Sequence, residues 1–173
     1  MILHTNCIET SCSVGAYVFT LAGGAISWAS SCQPCVLLSS TEAEYIALTE
    51  AAKEAIWLRT FFSEIGEPLT GPLELLGDNQ GAIALGKNPE FHKRTKHIRR
   101  RYHFIREAVE TGDVSLGFVP TRQMLADVLT KAMTRDLHSM HRSNLGVLQM
   151  LPGAKGTVAN DSDERSHAAS ITP

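Results

Sequence analysis

The sequence contains no apolar run approaching the roughly 18–20 residues that cross a bilayer, so no membrane partner is expected. Its first residues, MILHTNCIETSC, lack a basic start, an apolar stretch and a small-residue cleavage site. That excludes a secretory signal of the usual form and leads to the expectation of an intracellular protein, cytoplasmic or nuclear. There is no internal repeat. Cysteine is scarce: Cys7, Cys12, Cys32 and Cys35 all fall in the first 35 residues. The C-x-x-C pair at 32–35 has no second pair at zinc-site spacing, so all four read as incidental reduced thiols. What remains is ordinary: 43% hydrophobic and 20% charged residues, 173 in all, which suits one domain with a core large enough to fold alone.

Acidic and basic residues nearly balance, but not locally. The net charge is −2, yet Lys87, Lys93, Arg94, Lys96, Arg99, Arg100, Arg101 and Arg106 face a single acid, Glu90. His92, His97, Tyr102, His103 and Phe104 are interleaved with them. A basic stretch with aromatics suits a phosphate backbone; its plainer reading is a solvated helix face.

Patterning along the chain predicts a mixed α/β layer fold. Val14–Thr20 reads as a strand, Gly23-Gly24 as a turn, Ala25–Ala29 as the second arm of a hairpin and Val36–Leu38 as a third short strand. A long helix opens at Ser39-Ser40-Thr41, with Thr41 and Glu44 at capping-box spacing. Its apolar stripe is Tyr45, Leu48, Ala52, Ala55, Leu58, Phe62 and Ile65, and Gly66 ends it. Leu73–Leu76 and Val114–Val119 are strands; helices are expected over about 79–86, 97–111, 123–132 and 136–145. The domain is expected over residues 14–146, with 1–13 a remnant or replaced first-strand region and 147–173 a small, polar, disordered tail.

Three carboxylates stand at element ends, where side chains converge: Glu44, Asp78 and Asp127. An all-oxygen cluster without Cys or His suits Mg2+, and two such ions activate water and stabilise the leaving oxygen in phosphodiester hydrolysis. Each also has a plainer reading. Glu44 could complete a capping box, Asp78 could cap the next helix, and Asp127 could complement a helix dipole. Helical geometry separates Glu44 from Glu42. At 100° per residue Glu44 shares a face with Leu48, Ala51, Ala55 and Leu58, whereas Glu42 falls with Thr49 and Lys53 on the side expected to be solvated.

The segments GAYVFTLAGGAISWAS, LLSSTEAEYIALTEAAKEAIWLR, GDNQGAIALGKNP, FHKRTKHIRRRYHFIREAVETGDV and FVPTRQMLADVLTKAM closely resemble, in order, the C-terminal RNase H domain of copia-type retrotransposon Pol polyproteins. The resemblance runs from about residue 11 to 146. It implies an RNase H-like five-stranded mixed sheet with flanking helices. It also implies cleavage of the RNA strand of RNA–DNA hybrids by four acids and two Mg2+ ions, beside a reverse transcriptase module. By motif, E-x-E-Y falls on Glu44, D-N-Q on Asp78 and L-A-D on Asp127, as catalytic and metal-binding residues. The family's first acid, in a Y-S-D-A-D-W-A-G pattern, counts back from Ala16 to Met1, and Met1–Ser13 holds only Glu9 as an acid. The first, central strand is therefore expected to be missing or poorly formed, and the isolated chain inactive. The family's H-I-D-I becomes His97-Ile98-Arg99-Arg100, and Thr121 and Arg122 stand where cellular relatives carry a mobile histidine. The alternative is a non-enzymatic relic that binds nucleic acid through the 87–106 segment, with Lys93, Arg94, Lys96, Arg99, Arg100 and Arg101 as contacts.

Overall fold

The computed structural model describes residues 2–6, 13–33, 40–87 and 99–148. Ile2–Asn6 forms strand β1 and Ser13–Leu21 strand β2, antiparallel, with Ile2 opposite Tyr17 and Asn6 opposite Ser13. The first strand was expected to be missing or poorly formed; β1 is present, though only five residues long. Its pairing satisfies amide and carbonyl groups along β2 that would otherwise form a bare edge.

β2 turns through Ala22-Gly23 into β3 (Gly24–Cys32). Both turn residues have positive φ, 51° and 83°, the signature of a two-residue type I′ turn whose twist matches that of the strands it joins. Because Leu21 pairs with Gly24, the loop closes one residue earlier than Gly23-Gly24 and leaves Ala22 in the left-handed region. The strand expected at Val36–Leu38 lies outside the described residues.

Helix α1 (Ser40–Glu64) buries Tyr45, Leu48, Ala52, Ala55 and Leu58 as its stripe requires. Phe62 is half-buried, and Ile65, past the last turn, is 55% exposed. The helix stops where Gly66 N–H and Glu67 N–H donate to the carbonyls of Ser63 and Phe62 at 3.2 and 2.9 Å. Glu42 departs from expectation. It is 6% exposed, and its face-mate Thr49 is 1% exposed. Thr49 tolerates this because its hydroxyl donates to the Tyr45 carbonyl. Gln33, which follows β3, reaches this end of α1, its Nε2 donating to the Ala43 carbonyl at 2.9 Å.

β4 (Leu73–Gly77) and β5 (Val114–Phe118) pair in parallel, with α2 (Gln80–Lys87) and α3 (Arg99–Glu110) between them in sequence. The strand order is β3-β2-β1-β4-β5. An antiparallel meander and a parallel pair thus meet at one register pair, Ile2 beside Gly77. The architecture is mixed α/β. Alternation along β2 feeds two cores. Tyr17 and Phe19 pack with Tyr45, Leu48, Leu75, Ile105, Val114 and Leu116; Ala16 and Val18 pack with Val119, Met124, Ala126 and Leu145.

The helix expected at 123–132 is instead two 3-10 turns, Thr121–Gln123 and Leu125–Leu129. Met124 between them is extended (φ −72°, ψ 98°) and wholly buried in the second core. Packing that side chain overrides the local helical preference. α4 (Arg135–Asn144) closes the described chain. Of the 147–173 tail, all but Val147 and Leu148 lies outside the described residues.

Candidate active site

Asp78 follows directly on Gly77, the last residue of β4. It does not cap α2. That role belongs to Asn79, whose Oδ1 accepts from Ala82 N–H and whose carbonyl accepts from Ile83 N–H, both at 3.1 Å. Asp78 Oδ2 accepts instead from the Thr121 hydroxyl at 2.9 Å, across from the loop that follows β5.

Glu44 projects from α1 with 8% of its surface exposed. With Leu48, Gly77, Asn79, Ala82 and Ile83 it lines a cleft of about 10 Å³, room for one water at most. Asp127 lies in the second 3-10 turn, 6% exposed. Its Oδ1 is buried without a hydrogen-bond partner among the described residues, and its Oδ2 lies 3.4 Å from Lys131 Nζ. A larger hollow of about 520 Å³ opens beside it, lined by Thr121, Arg122, Thr134, Asp136, Leu137 and Met140.

Electrostatics tie the three acids together. Burial pushes the Glu44 carboxyl up to about 8; the Asp78 charge adds to the rise, Lys131 opposes it, and Asp127 raises it further. Asp127 is also raised, first by burial; Lys131 counters through charge and hydrogen bond, Asp78 pushes it up and His141 pulls it down. Glu44 on α1 therefore feels the acids at the end of β4 and in the 3-10 turn, and Asp127 feels Asp78. Such crowding of carboxylates in a cleft marks sites built for a cation or for proton transfer.

The donor set suits a hard divalent ion: oxygens only, one of them buried and orphaned. As they stand, however, no three His, Cys, Asp or Glu among the described residues form a ready-made metal cage. Lys131 supplies positive charge there instead.

Lys131 and His141 belong to this neighbourhood and were not singled out from the sequence, whereas Thr121 was noted only as standing where relatives carry a histidine. Lys131 follows Asp127 by four residues, a spacing that signals an ion pair on a helical turn. His141 is wholly buried with neither ring nitrogen hydrogen-bonded among the described residues. Following Leu137 by four on α4, it reads simply as core.

The basic run is only partly described. Lys93, Arg94 and Lys96 lie outside the described residues, as do Cys7, Cys12 and Cys35. Arg99, Arg100 and Arg101 open α3; Arg100 is exposed, and Arg101 helps line a separate hollow of about 190 Å³ with Gln33 and Glu50. Cys32 is an exposed free thiol. None of the described helices is long and apolar enough to cross a membrane.

The chain is 44% identical over 140 residues to the retrovirus-related Pol polyprotein from transposon TNT 1-94 of Nicotiana tabacum, covering 81% of this chain and 10% of that protein. Its homologues are copia-type retrotransposon Pol polyproteins. Two from Arabidopsis thaliana, from transposons RE1 and RE2, are 40% and 38% identical over 81% and 84% of this chain, each again matched over 10% of its own length. The chain thus spans about a tenth of the length of the curated relatives it matches. No family model and no solved structure matches it.

Proposed function

We propose that the chain is the RNase H-like domain of a copia-type retrotransposon polyprotein, and that Glu44, Asp78 and Asp127 are three of its metal-binding, catalytic carboxylates. The observation that carries this reading is the convergence of negative charge on Glu44, raised to about 8 by burial and by the Asp78 and Asp127 carboxylates, with Asp127 raised by burial and by Asp78. The β3-β2-β1-β4-β5 sheet, antiparallel and then parallel, supports it. So does the likeness to Pol polyproteins.

The substrate is the RNA strand of an RNA–DNA hybrid, and the partner is a reverse transcriptase module. Glu44, Asp78 and Asp127 would hold Mg2+. When bound, the ions supply the charge that activates a water and stabilises the departing oxygen. The chain's own residues do the rest. Thr121 orients Asp78 through its hydroxyl, burial raises the Glu44 carboxyl while the site holds no metal, and Lys131 offsets part of the negative charge.

Strand β1, beside Gly77, carries no carboxylate in Ile2–Asn6, so this chain by itself binds hybrid without cutting it. That favours a second reading, a nucleic-acid-binding relic, to which the exposed Arg100 at the start of α3 adds support. The test is divalent-metal binding, followed by Mn2+ titration of the 173-residue chain and of its Asp78→Asn and Asp127→Asn variants. Binding that both substitutions weaken supports the metal-site reading. Binding unaffected by either one overturns it.

A further inference from the structure

A nearly buried carboxylate such as Asp127 needs a positive charge when no metal is present. Lys131 is the residue whose charge counters both Glu44 and Asp127, whereas His141 acts on Asp127 alone. Its contact is loose. Nζ lies 3.4 Å from Asp127 Oδ2, against about 2.7–2.9 Å for a strong charge-assisted hydrogen bond. The Lys131 side chain is 35% exposed and that of Asp127 only 8%, so the ammonium sits on the solvent side, at the end of a flexible four-carbon stem.

We infer that Lys131 is a built-in counter-cation that holds the carboxylate pocket in its metal-free state, and that a divalent ion enters by displacing this ammonium from Asp127. The inference rests on the metal-binding reading above. Ammonium and metal compete for the same oxygen. The ion brings twice the charge and binds oxygen directly at about 2.0–2.1 Å, so it wins once present. The buried, unpartnered Oδ1 of Asp127 then has an acceptor role to fill that Lys131 leaves open.

A Lys131 that merely props Asp127 in place would have the opposite effect, because removing it would disorder a ligand and weaken metal binding. Mn2+ affinity, read by calorimetry and by loss of the free-ion paramagnetic resonance signal, separates the two. Lys131→Met keeps the stem and deletes the charge; it should bind Mn2+ roughly three- to tenfold tighter than the parent. Lys131→Gln should shift the same way, which guards against a folding defect peculiar to one substitution, and Lys131→Arg should stay near the parent. In EDTA, Lys131→Met should melt below the parent and gain more from added Mn2+. Equal or weaker Mn2+ binding by both neutral variants, with binding by the parent intact, overturns the displacement role alone. Absence of Mn2+ binding in parent and variants alike overturns it together with the metal-site reading.

Discussion

The Thr121 hydroxyl donates to Asp78 Oδ2 at 2.9 Å, joining the loop after β5 to the end of β4. This bond fixes the rotamer of a carboxylate that follows its strand directly and has been relieved of helix capping by Asn79. Thr121 is exposed, so Thr121→Val should cost no more than about 1 kcal/mol in chemical denaturation. Its effect on Mn2+ affinity should be larger in proportion, a several-fold loss that Thr121→Ser restores. Unaltered Mn2+ affinity in Thr121→Val would show that Asp78 needs no such support.

Glu44 should make the metal-free protein less stable as pH rises. Its carboxyl titrates at about 8 when folded, above the ordinary 4.5. Between those values the folded protein holds a proton that the unfolded chain has released. Stability therefore declines through that window, by at most about 1.4 kcal/mol per pH unit, and levels off above it. Glu44→Gln has no proton to lose. In EDTA its unfolding free energy should be flatter from pH 5 to 8 and exceed the parent's at pH 9. Parallel curves for the two proteins would place the titration elsewhere.

Particular residues show why some of this was legible and some was not. Periodicity located α1 and its buried stripe because a helix packed on a sheet must repeat its apolar positions. The same periodicity put Glu42 on the solvated side. The sequence pattern of one helix holds no record of Gln33 reaching over its first turns. Asp127 stood out as an acid within a motif, but the backbone around it did not. Met124 adopts an extended conformation to reach a core formed with Val119, Ala16 and Leu145, residues remote in sequence. Lys131 and His141 escaped notice for the same reason, since their role comes from what tertiary folding sets beside Asp127. The count back from Ala16 left β1 as no more than a remnant or replacement, because its pairing depends on the register of β2.

The hairpin turn offers a local test of stability. Ala22 sits at φ 51°, a region costing an L-residue roughly 1–2 kcal/mol, more than the entropy glycine loses on folding. Ala22→Gly should therefore stabilise by about 0.5 kcal/mol. Gly146 packs against this turn from the end of α4. A Cβ there would stand 2.5 Å from the Gly23 carbonyl oxygen, and its own φ is 71°. Gly146→Ala should cost upwards of about 2 kcal/mol. It also strains the adjacent bond from Ala25 N–H to the Leu145 carbonyl. Equal midpoints for both variants in a urea titration would contradict this account of the turn.

Hybrid binding should be weak and steeply salt-dependent. Phosphate contacts release counterions, so log affinity falls linearly with log salt, by about 0.9 per contact on a duplex. Reversing Arg99, Arg100 and Arg101 to Glu should abolish most of the binding and flatten the slope. An unchanged affinity in the triple variant would identify the start of α3 as an ordinary solvated face.

The 173-residue chain should leave the RNA of a hybrid uncut in Mg2+, because two-metal hydrolysis needs both ions held at fixed separation and only three acids serve the proposed site. The register names where a fourth belongs. Ile2 lies beside Gly77 in parallel, and Leu3 and Asp78 are the next residues along the two segments. Counting by the family's spacing stops at Met1, two residues away and of the same parity along a strand. Leu3→Asp should therefore create Mg2+-dependent cleavage where the parent has none, and Asp78→Asn in that background should remove it. Circular dichroism would confirm that the strand survives an added charge. Cleavage by the parent chain that Asp78→Asn abolishes would show that three carboxylates suffice. A folded Leu3→Asp protein that binds Mn2+ more tightly yet cuts nothing would mean that the acid is in place and the scissile phosphate is not.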